Sequence, residues 1–180
     1  MAESIDELLN KATCARLESR FGDARRDLQE AVKMSSRGKD PPRLARALGA
    51  LGQIQRDLHN NEDALRLYEE AGEIYRALNK PLKIAHTVRH VADILRHLGR
   101  FAAAATSYAE ALNIYRAHQE TRPLDLANAL RGFALVKEAL GEKAEAKALW
   151  EEAGNLYAEV NVEAGVAESA RRMALLGPKT

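Results

Sequence analysis

The sequence predicts an all-α protein made of repeated pairs of antiparallel helices. Alanine, leucine, arginine and glutamate dominate its 180 residues, and residues that favour strands are sparse. Apolar residues recur every three or four positions, which places them on one face of a helix. The same pattern returns after 40 residues and again after a further 42, which indicates an internal repeat. The three matching windows contain, in order, Leu48, Leu51, Ile54, Leu58, Ala64, Tyr68, Ala71, Ile74 and Tyr75, then Val88, Val91, Ile94, Leu98, Ala104, Tyr108, Ala111, Ile114 and Tyr115, then Leu130, Phe133, Val136, Leu140, Ala146, Trp150, Ala153, Leu156 and Tyr157.

Short segments with glycine, asparagine or proline separate the predicted helices. Gly22, Asn60, Gly99 and Gly141 stand where the first helix of a pair ends, because such residues readily adopt the left-handed conformation that closes a helix. Prolines open the later pairs, and Ser4–Glu7 has the pattern of a capping box. The predicted helices span residues 4–20, 23–36, 42–58, 62–78, 82–98, 102–118, 123–140, 144–160 and 163–176.

These helices predict a single domain over residues 1–180. Four two-helix repeats are expected at about 4–40, 41–80, 81–122 and 123–162, followed by a terminal helix at 163–176 that ends at Gly177 and Pro178.

The repeated positions resemble the tetratricopeptide repeat. The pattern of that family has Leu-Gly in the first helix, and alanine, an aromatic residue and alanine in the second. Leu51-Gly52, Ala64, Tyr68 and Ala71 reproduce it. Units of 40 to 42 residues exceed the usual length of about 34 and look like those of kinesin light chains and bacterial regulatory repeat proteins. The resemblance implies a right-handed superhelical solenoid of about four repeats with a C-terminal capping helix, acting as a protein-binding scaffold.

Composition argues against several other classes of protein. The 27 Lys and Arg residues nearly balance 26 Asp and Glu, so there is no general attraction to nucleic acid or an anionic membrane. Six of the nine aromatic residues fall at two repeat positions, which favours packing between helices over a platform for stacked bases. No segment has the apolar run of a secretory signal or a membrane-spanning helix. We therefore expect a cytoplasmic protein.

No motif supports catalysis. An enzyme would need a nucleophile with its base, a phosphate-binding loop or a metal site, and the sequence contains none of these patterns. We expect neither enzymatic activity nor a cofactor. The single cysteine, Cys14, excludes an intramolecular disulfide and aligns with Ile54, so we expect it to be a buried core thiol. The first repeat also has Lys11 and Ala12 in place of Leu-Gly.

A histidine-rich segment lies in the fifth predicted helix. His86, His90, Asp93 and His97 stand at positions i, i+4, i+7 and i+11 of one face. Two histidines four residues apart can chelate zinc. The whole set, however, spans about 16 Å at the helical rise, so one ion cannot use all four side chains. We favour a solvated face that titrates near pH ~6.5 and predict no metal site.

The resemblance places the first helix of each pair on a concave groove that binds the partner. The residues it predicts for the groove are Arg46, Gln53, Arg56, His86, Arg89, His90, Asp93, Arg96, Asn128, Arg131, Leu135 and Arg171. We hypothesise that the arginines, with Arg89 and Arg131 at equivalent positions, capture an acidic or C-terminal carboxylate segment through forked hydrogen bonds. The alternative is that they are ordinary surface residues paired with neighbouring carboxylates.

Three kinds of function follow from these patterns. The leading one is a scaffold that binds a partner protein of unknown identity. The alternative is a self-associating module, a homodimer formed if the last helix, with Val166, Ala170, Met173 and Leu176, detaches and exposes an apolar end. Nucleic-acid binding comes third, because it would need a strongly basic face.

Overall fold

The computed structural model describes residues 3–177 and has nine α-helices joined by short turns. No β-strand occurs among these residues, and the predicted all-α repeat fold is confirmed. Residues 1–2 and 178–180, including the Pro178 expected to end the last helix, lie outside the described part. The helices are α1 Ile5–Leu17, α2 Phe21–Arg37, α3 Pro41–Asp57, α4 Asn61–Ala77, α5 Pro81–His97, α6 Phe101–Ala117, α7 Pro123–Ala139, α8 Lys143–Glu159 and α9 Glu163–Leu175.

The turns within the helix pairs follow the prediction except in the first two. Gly99 and Gly141 adopt the left-handed conformation, with φ of 72° and 78°. In the second pair His59 does so, at 62°, rather than the asparagines that follow it. In the first pair Ser19 takes this role at 60°, and Gly22 lies inside α2. This conformation costs a non-glycine residue about 1–2 kcal/mol. A turn centred on Gly22 would therefore have been energetically more favourable for the backbone than the turn at Ser19.

Polar caps and prolines start the helices as predicted. The Ser4 hydroxyl accepts a hydrogen bond from the Glu7 amide at 3.2 Å, and the Glu7 carboxylate accepts one from the Ser4 amide at 2.6 Å. This reciprocal capping box satisfies two amides that a helix start leaves open. Proline occupies the first position of α3, α5 and α7, where a missing amide hydrogen costs no helical hydrogen bond.

The linker between α6 and α7 explains the longer period of the third repeat. Three residues, 38–40, join α2 to α3, whereas five residues, 118–122, join α6 to α7. In this longer linker the Thr121 hydroxyl donates to the Tyr115 carbonyl at 2.8 Å. The two additional residues therefore lie outside the helices, and the helix faces keep their register.

The helices form two compact units, Met1–Thr87 and Val88–Thr180. In the first unit α1 packs on α2, α2 on α3, and α3 on α4. A buried cluster joins Leu28 of α2 to Leu51 and Ile54 of α3. The side of α3 that carries Leu51 and Ile54 therefore completes the core of the preceding helix pair, α1 and α2.

The second unit is built in the same way around larger side chains. Here α6 packs on α7, α7 on α8, and α8 on α9. Tyr108 and Trp150 are fully buried, and Tyr115 and Tyr157 are nearly so. These aromatic residues fill the spaces between helices, as their recurrence in the sequence predicted.

Cys14 is exposed, and its predicted burial was wrong. The repeat-equivalent Ile54 is buried because its face of α3 packs on the preceding helix pair. Among the described residues no helix pair precedes α1, so the same face there is open to solvent. The charged Lys11, which replaces the Leu51 of the next repeat, lies on this face and is exposed as well.

Two leucines are the most exposed large apolar side chains of the described residues. Leu17 and Leu175, at the ends of α1 and α9, are 77% and 76% exposed. Isolated residues of this kind are common on protein surfaces. No helix within residues 3–177 combines the length and the apolar character needed to cross a membrane.

Candidate binding surface

The predicted binding residues of the first unit include Arg46 on α3 and His86 on α5. Arg46 is 54% exposed and its guanidinium lies 3.4 Å from Asp6 of α1. Arg43, one turn earlier, also binds Asp6, at 2.7 Å. The hydrogen bond from Arg43 holds the pKa of Asp6 below its usual range. His86 of α5 is exposed.

Gln53 lies at the centre of a hydrogen-bonded cluster on α3. Its amide nitrogen donates to Asp57 at 2.8 Å, and its amide oxygen accepts from Arg56 at 2.9 Å. The same oxygen accepts from the Tyr68 hydroxyl of α4 at 3.3 Å. Arg16 of α1 donates to the other oxygen of Asp57 at 2.6 Å. The cluster fixes the orientation of side chains from three helices.

In the second unit Arg89 belongs to a largely buried network on α5. Its side chain is only 12% exposed and donates to Asp93 at 2.8 Å and to the Nε2 of His90 at 2.8 Å. Since arginine has only donors, this nitrogen of His90 is an acceptor. Tyr108 of α6 donates to the other oxygen of Asp93 at 2.5 Å. Burial, with the Asp93 charge as a second cause, raises the pKa of Tyr108 far above its usual value.

A second network joins α7 to α8 and α9. Arg131 forks the carboxylate of Glu168 with two hydrogen bonds, of 2.6 and 3.0 Å. These bonds lower the pKa of Glu168 and raise that of Arg131. The Tyr157 hydroxyl of α8 donates to the Asn128 side chain at 2.9 Å. Arg131 remains 39% exposed, so it is fixed in place and still open to solvent.

The remaining predicted residues of this unit differ in exposure. Arg96 is partly buried and contacts the Nε2 of His97 at 3.3 Å. Leu135 is partly buried, and Arg171 of α9 is exposed. The predicted set therefore contains some side chains that a partner could reach and others that hold the surface together.

Arg89 and Arg131 are both paired with carboxylates of the same chain. This pairing is what the alternative hypothesis predicted, in which the arginines are surface residues paired with neighbouring carboxylates. The capture of a peptide carboxylate by these arginines stays a prediction. Within residues 3–177, no group of three or more histidine, cysteine, aspartate or glutamate side chains could hold a metal ion.

The sequence interpretation missed Arg16 and Glu168, although a signal for both was present. Arg16 lies 40 residues before Arg56, at the equivalent repeat position. Glu168 lies 40 residues after Asn128, again at the equivalent position. Extending the register by one unit in each direction would have added both residues to the surface.

Comparison with known proteins agrees with this architecture. Residues 4–77 match the family model of the tetratricopeptide repeat. Within these residues the chain therefore matches tetratricopeptide repeats. No curated protein matches the chain in sequence. The resemblance to kinesin light chains is not confirmed by these findings and stays a prediction.

Solved structures extend the fold similarity over almost the whole chain. The apo form of RapI aligns with 97% of this chain at a TM-score of 0.87 and 13% identity. BtubC (BKLC) from P. vanneervenii aligns with 98% of it at a TM-score of 0.74 and 18% identity, and this chain covers 82% of BtubC. A signal transduction ATPase with a tetratricopeptide repeat sensor, PH0952 from Pyrococcus horikoshii, aligns with 96% at 0.85 and 17% identity.

This chain is shorter than each of these three proteins. It covers 63% of RapI and 26% of the Pyrococcus protein. At identities of 13 to 18% the similarity shows the fold alone.

Proposed function

We propose that the protein binds a partner protein through polar residues on its first helices. Tetratricopeptide repeats generally mediate protein–protein interaction and are generally non-catalytic. The observation that carries the proposal is the polar surface of the second unit, where Arg89, Asp93, Asn128 and Arg131 are held by hydrogen bonds. Side chains that are already ordered lose little conformational entropy when a partner binds.

An acidic segment or a C-terminal carboxylate is the ligand chemistry that these residues favour. Arg46, Arg131 and Arg171 all keep part of the side chain in solvent. A guanidinium can bind a carboxylate with two parallel hydrogen bonds, as Arg131 already does with Glu168. A carboxylate of the partner would add to this pairing or replace it.

The experiment removes two exposed charges without introducing repulsion. Partners captured from the native lysate are identified, and the affinity of one is then measured by titration with the variant Arg46→Gln/Arg131→Gln. We expect a loss of affinity of at least about tenfold, as is typical when a charged hydrogen bond at an interface is lost. Arg89 is left unchanged because its burial beside Asp93 would confuse binding with folding.

The matched control is Arg26→Gln/Arg66→Gln, which removes two exposed arginines from the second helices α2 and α4. This control should change the affinity less than about twofold, and both variants should keep the helical circular dichroism signal. Equal affinity of the two variants would refute binding through these residues of the first helices.

We infer self-association through α9 as a second candidate function. The observation that favours it is the outward side of this helix, where Val166, Ala167, Ala170 and Ala174 are exposed. The equivalent residues of α7, 40 positions earlier, include Ala127, Leu130 and Ala134, all fully buried. Detachment of α9 is therefore not needed to expose an apolar face.

The charges on α9 suit an antiparallel pair formed with a second copy. Glu163 and Arg171 lie four residues on either side of Ala167, so a two-fold axis at Ala167 would bring each beside its opposite in the partner helix. We expect the molecular mass of the unchanged protein in solution to rise with protein concentration. The variant Ala167→Arg should keep the mass of a monomer at every concentration. The variant Leu17→Arg, at the exposed end of α1, should associate as the unchanged protein does. A monomeric mass at every concentration would exclude self-association.

A further inference from the structure

A recess of about 130 Å³ opens between α1, α2 and α3 of the first unit. Its walls include the apolar side chains of Ala12, Leu28 and Ile54, each of which is no more than 2% exposed. Ala50 and Gln53, at its mouth, are partly exposed and lie on the predicted binding face of α3. The residues that line it are Ala12, Thr13, Arg16, Leu28, Ala50, Gln53 and Ile54.

The recess exists because one repeat lacks an aromatic ring. Leu28 occupies the position that Tyr68, Tyr108 and Trp150 occupy in the later repeats. In the second unit the Tyr108 ring lies against Gly132, where an added Cβ would be 2.3 Å from the tyrosine oxygen. Gly132 is the repeat equivalent of Ala50. The ring of Tyr108 therefore fills the space that corresponds to the recess of the first unit.

We propose that this recess binds an aromatic side chain, a phenylalanine ring, of the partner segment. The inference rests on the proposed function and names a contact that the segment would make. An apolar cavity of about 150 Å³ can hold benzene, so a recess of this size suits one ring. Its apolar floor also offers few hydrogen bonds to water, because the Thr13 hydroxyl already donates to the Leu9 carbonyl.

The charges near the mouth favour an acidic residue beside the ring. Arg16, which lines the recess, carries a positive charge, and Asp57 binds it at 2.6 Å from one side. The Arg16 side chain is partly exposed, so a carboxylate of the partner can approach it. The expected motif is a phenylalanine with a neighbouring aspartate or glutamate.

The test uses two probes, toluene and N-acetyl-Phe-Glu amide, followed by heteronuclear NMR of the full chain. We expect both probes to shift the amide signals of Ala12, Ala50 and Ile54, and the peptide to bind more weakly as salt is added. In the variant Leu28→Phe/Ala50→Gly, which copies the Tyr108 and Gly132 arrangement, both probes should bind at least about tenfold more weakly.

Two further variants make the result decisive. Ala50→Leu fills the recess from its mouth and replaces the double variant if that one does not fold. Leu17→Phe makes the same type of change at an exposed site and should leave binding unchanged. Shifts that occur only elsewhere, or that persist in both filled variants, would overturn the inference.

The same variants separate this inference from the proposed function. Suppose that Arg46→Gln/Arg131→Gln lowers the affinity for the captured partner and the variants with a filled recess do not. The first helices then bind the partner without a ring in the recess, and only this inference fails. If the filled recess weakens the partner at least tenfold, the inference is supported. If neither change affects the partner while toluene still binds the recess, the proposed function fails and the recess is no part of the partner site.

Discussion

Replacing Trp150 by alanine is expected to lower the free energy of unfolding by about 3–5 kcal/mol. Trp150 is fully buried in α8. Its indole nitrogen donates to Glu138 at 2.5 Å, and Arg172 of α9 lies over its ring at 6.0 Å. The change would leave a cavity between helices and remove both polar contacts. Because a whole domain is stable by only about 5–15 kcal/mol, part of the second unit should unfold at room temperature.

Urea unfolding followed by circular dichroism measures this effect. Fluorescence is unsuitable because Trp150 is the only tryptophan. Leu175→Ala, which truncates an exposed side chain of α9, should change the unfolding free energy by less than about 0.5 kcal/mol. Trp150→Phe should fall between the two, because it keeps a ring and loses the hydrogen bond. A cost below about 1 kcal/mol for Trp150→Ala would contradict the burial of this side chain.

Gly132→Ala is expected to destabilise the second unit, whereas Gly49→Ala is expected to stabilise the first. Both glycines lie inside helices, so alanine gains about 0.8–1 kcal/mol of helix propensity at each. A Cβ at position 49 would meet nothing within 4 Å, but one at position 132 would lie 2.3 Å from the Tyr108 oxygen. That ring cannot move easily, because it is buried, bound to Asp93 and stacked on Phe133 with centroids 6.0 Å apart. The two variants should therefore differ by about 1–3 kcal/mol.

A double-mutant cycle identifies the cause of this difference. Tyr108→Leu with Gly132→Ala recreates the Leu28 and Ala50 combination of the first repeat. We expect the alanine to be tolerated once the ring is gone, which gives a coupling energy of at least about 1 kcal/mol. Additive effects would mean that Tyr108 and Gly132 are not in conflict. Thermal unfolding followed by circular dichroism, with the four proteins under one set of conditions, provides the measurement.

Much of the fold could be read from the sequence because the signals are local and repeated. The spacing of apolar residues located nine helices, and the capping box at Ser4 and the prolines located several of their starts. The position of the first turn could not be read. Gly22 was the better residue for a left-handed turn, but the packing of α1 and α2 placed the turn at Ser19.

The repeat register predicted which residues occupy equivalent positions on the first helices, but it did not predict how these residues pair with one another. The repeat register identified Arg89 and Arg131 as equivalent residues, yet their partners lie in different places. Arg89 pairs with Asp93 of its own helix, and Arg131 pairs with Glu168 of α9. Side-chain reach between helices decides such pairing, and a linear pattern does not contain that information. The recess at Leu28 also could not be predicted from a linear pattern. It was recognised by comparison with Tyr108, whose ring lies against Gly132 at the equivalent place of the second unit.

The sequence by itself determined that the chain forms repeated pairs of helices, since helix formation and apolar periodicity depend on neighbouring residues. Only the tertiary structure decided which equivalent residues are buried. Cys14 is exposed and Ile54 is buried at the same repeat position, because within residues 3–177 Ile54 packs on the helix pair α1 and α2 and Cys14 meets no such pair. Burial is a property of the neighbours that a residue meets after folding, and identical positions in a repeat do not meet identical neighbours.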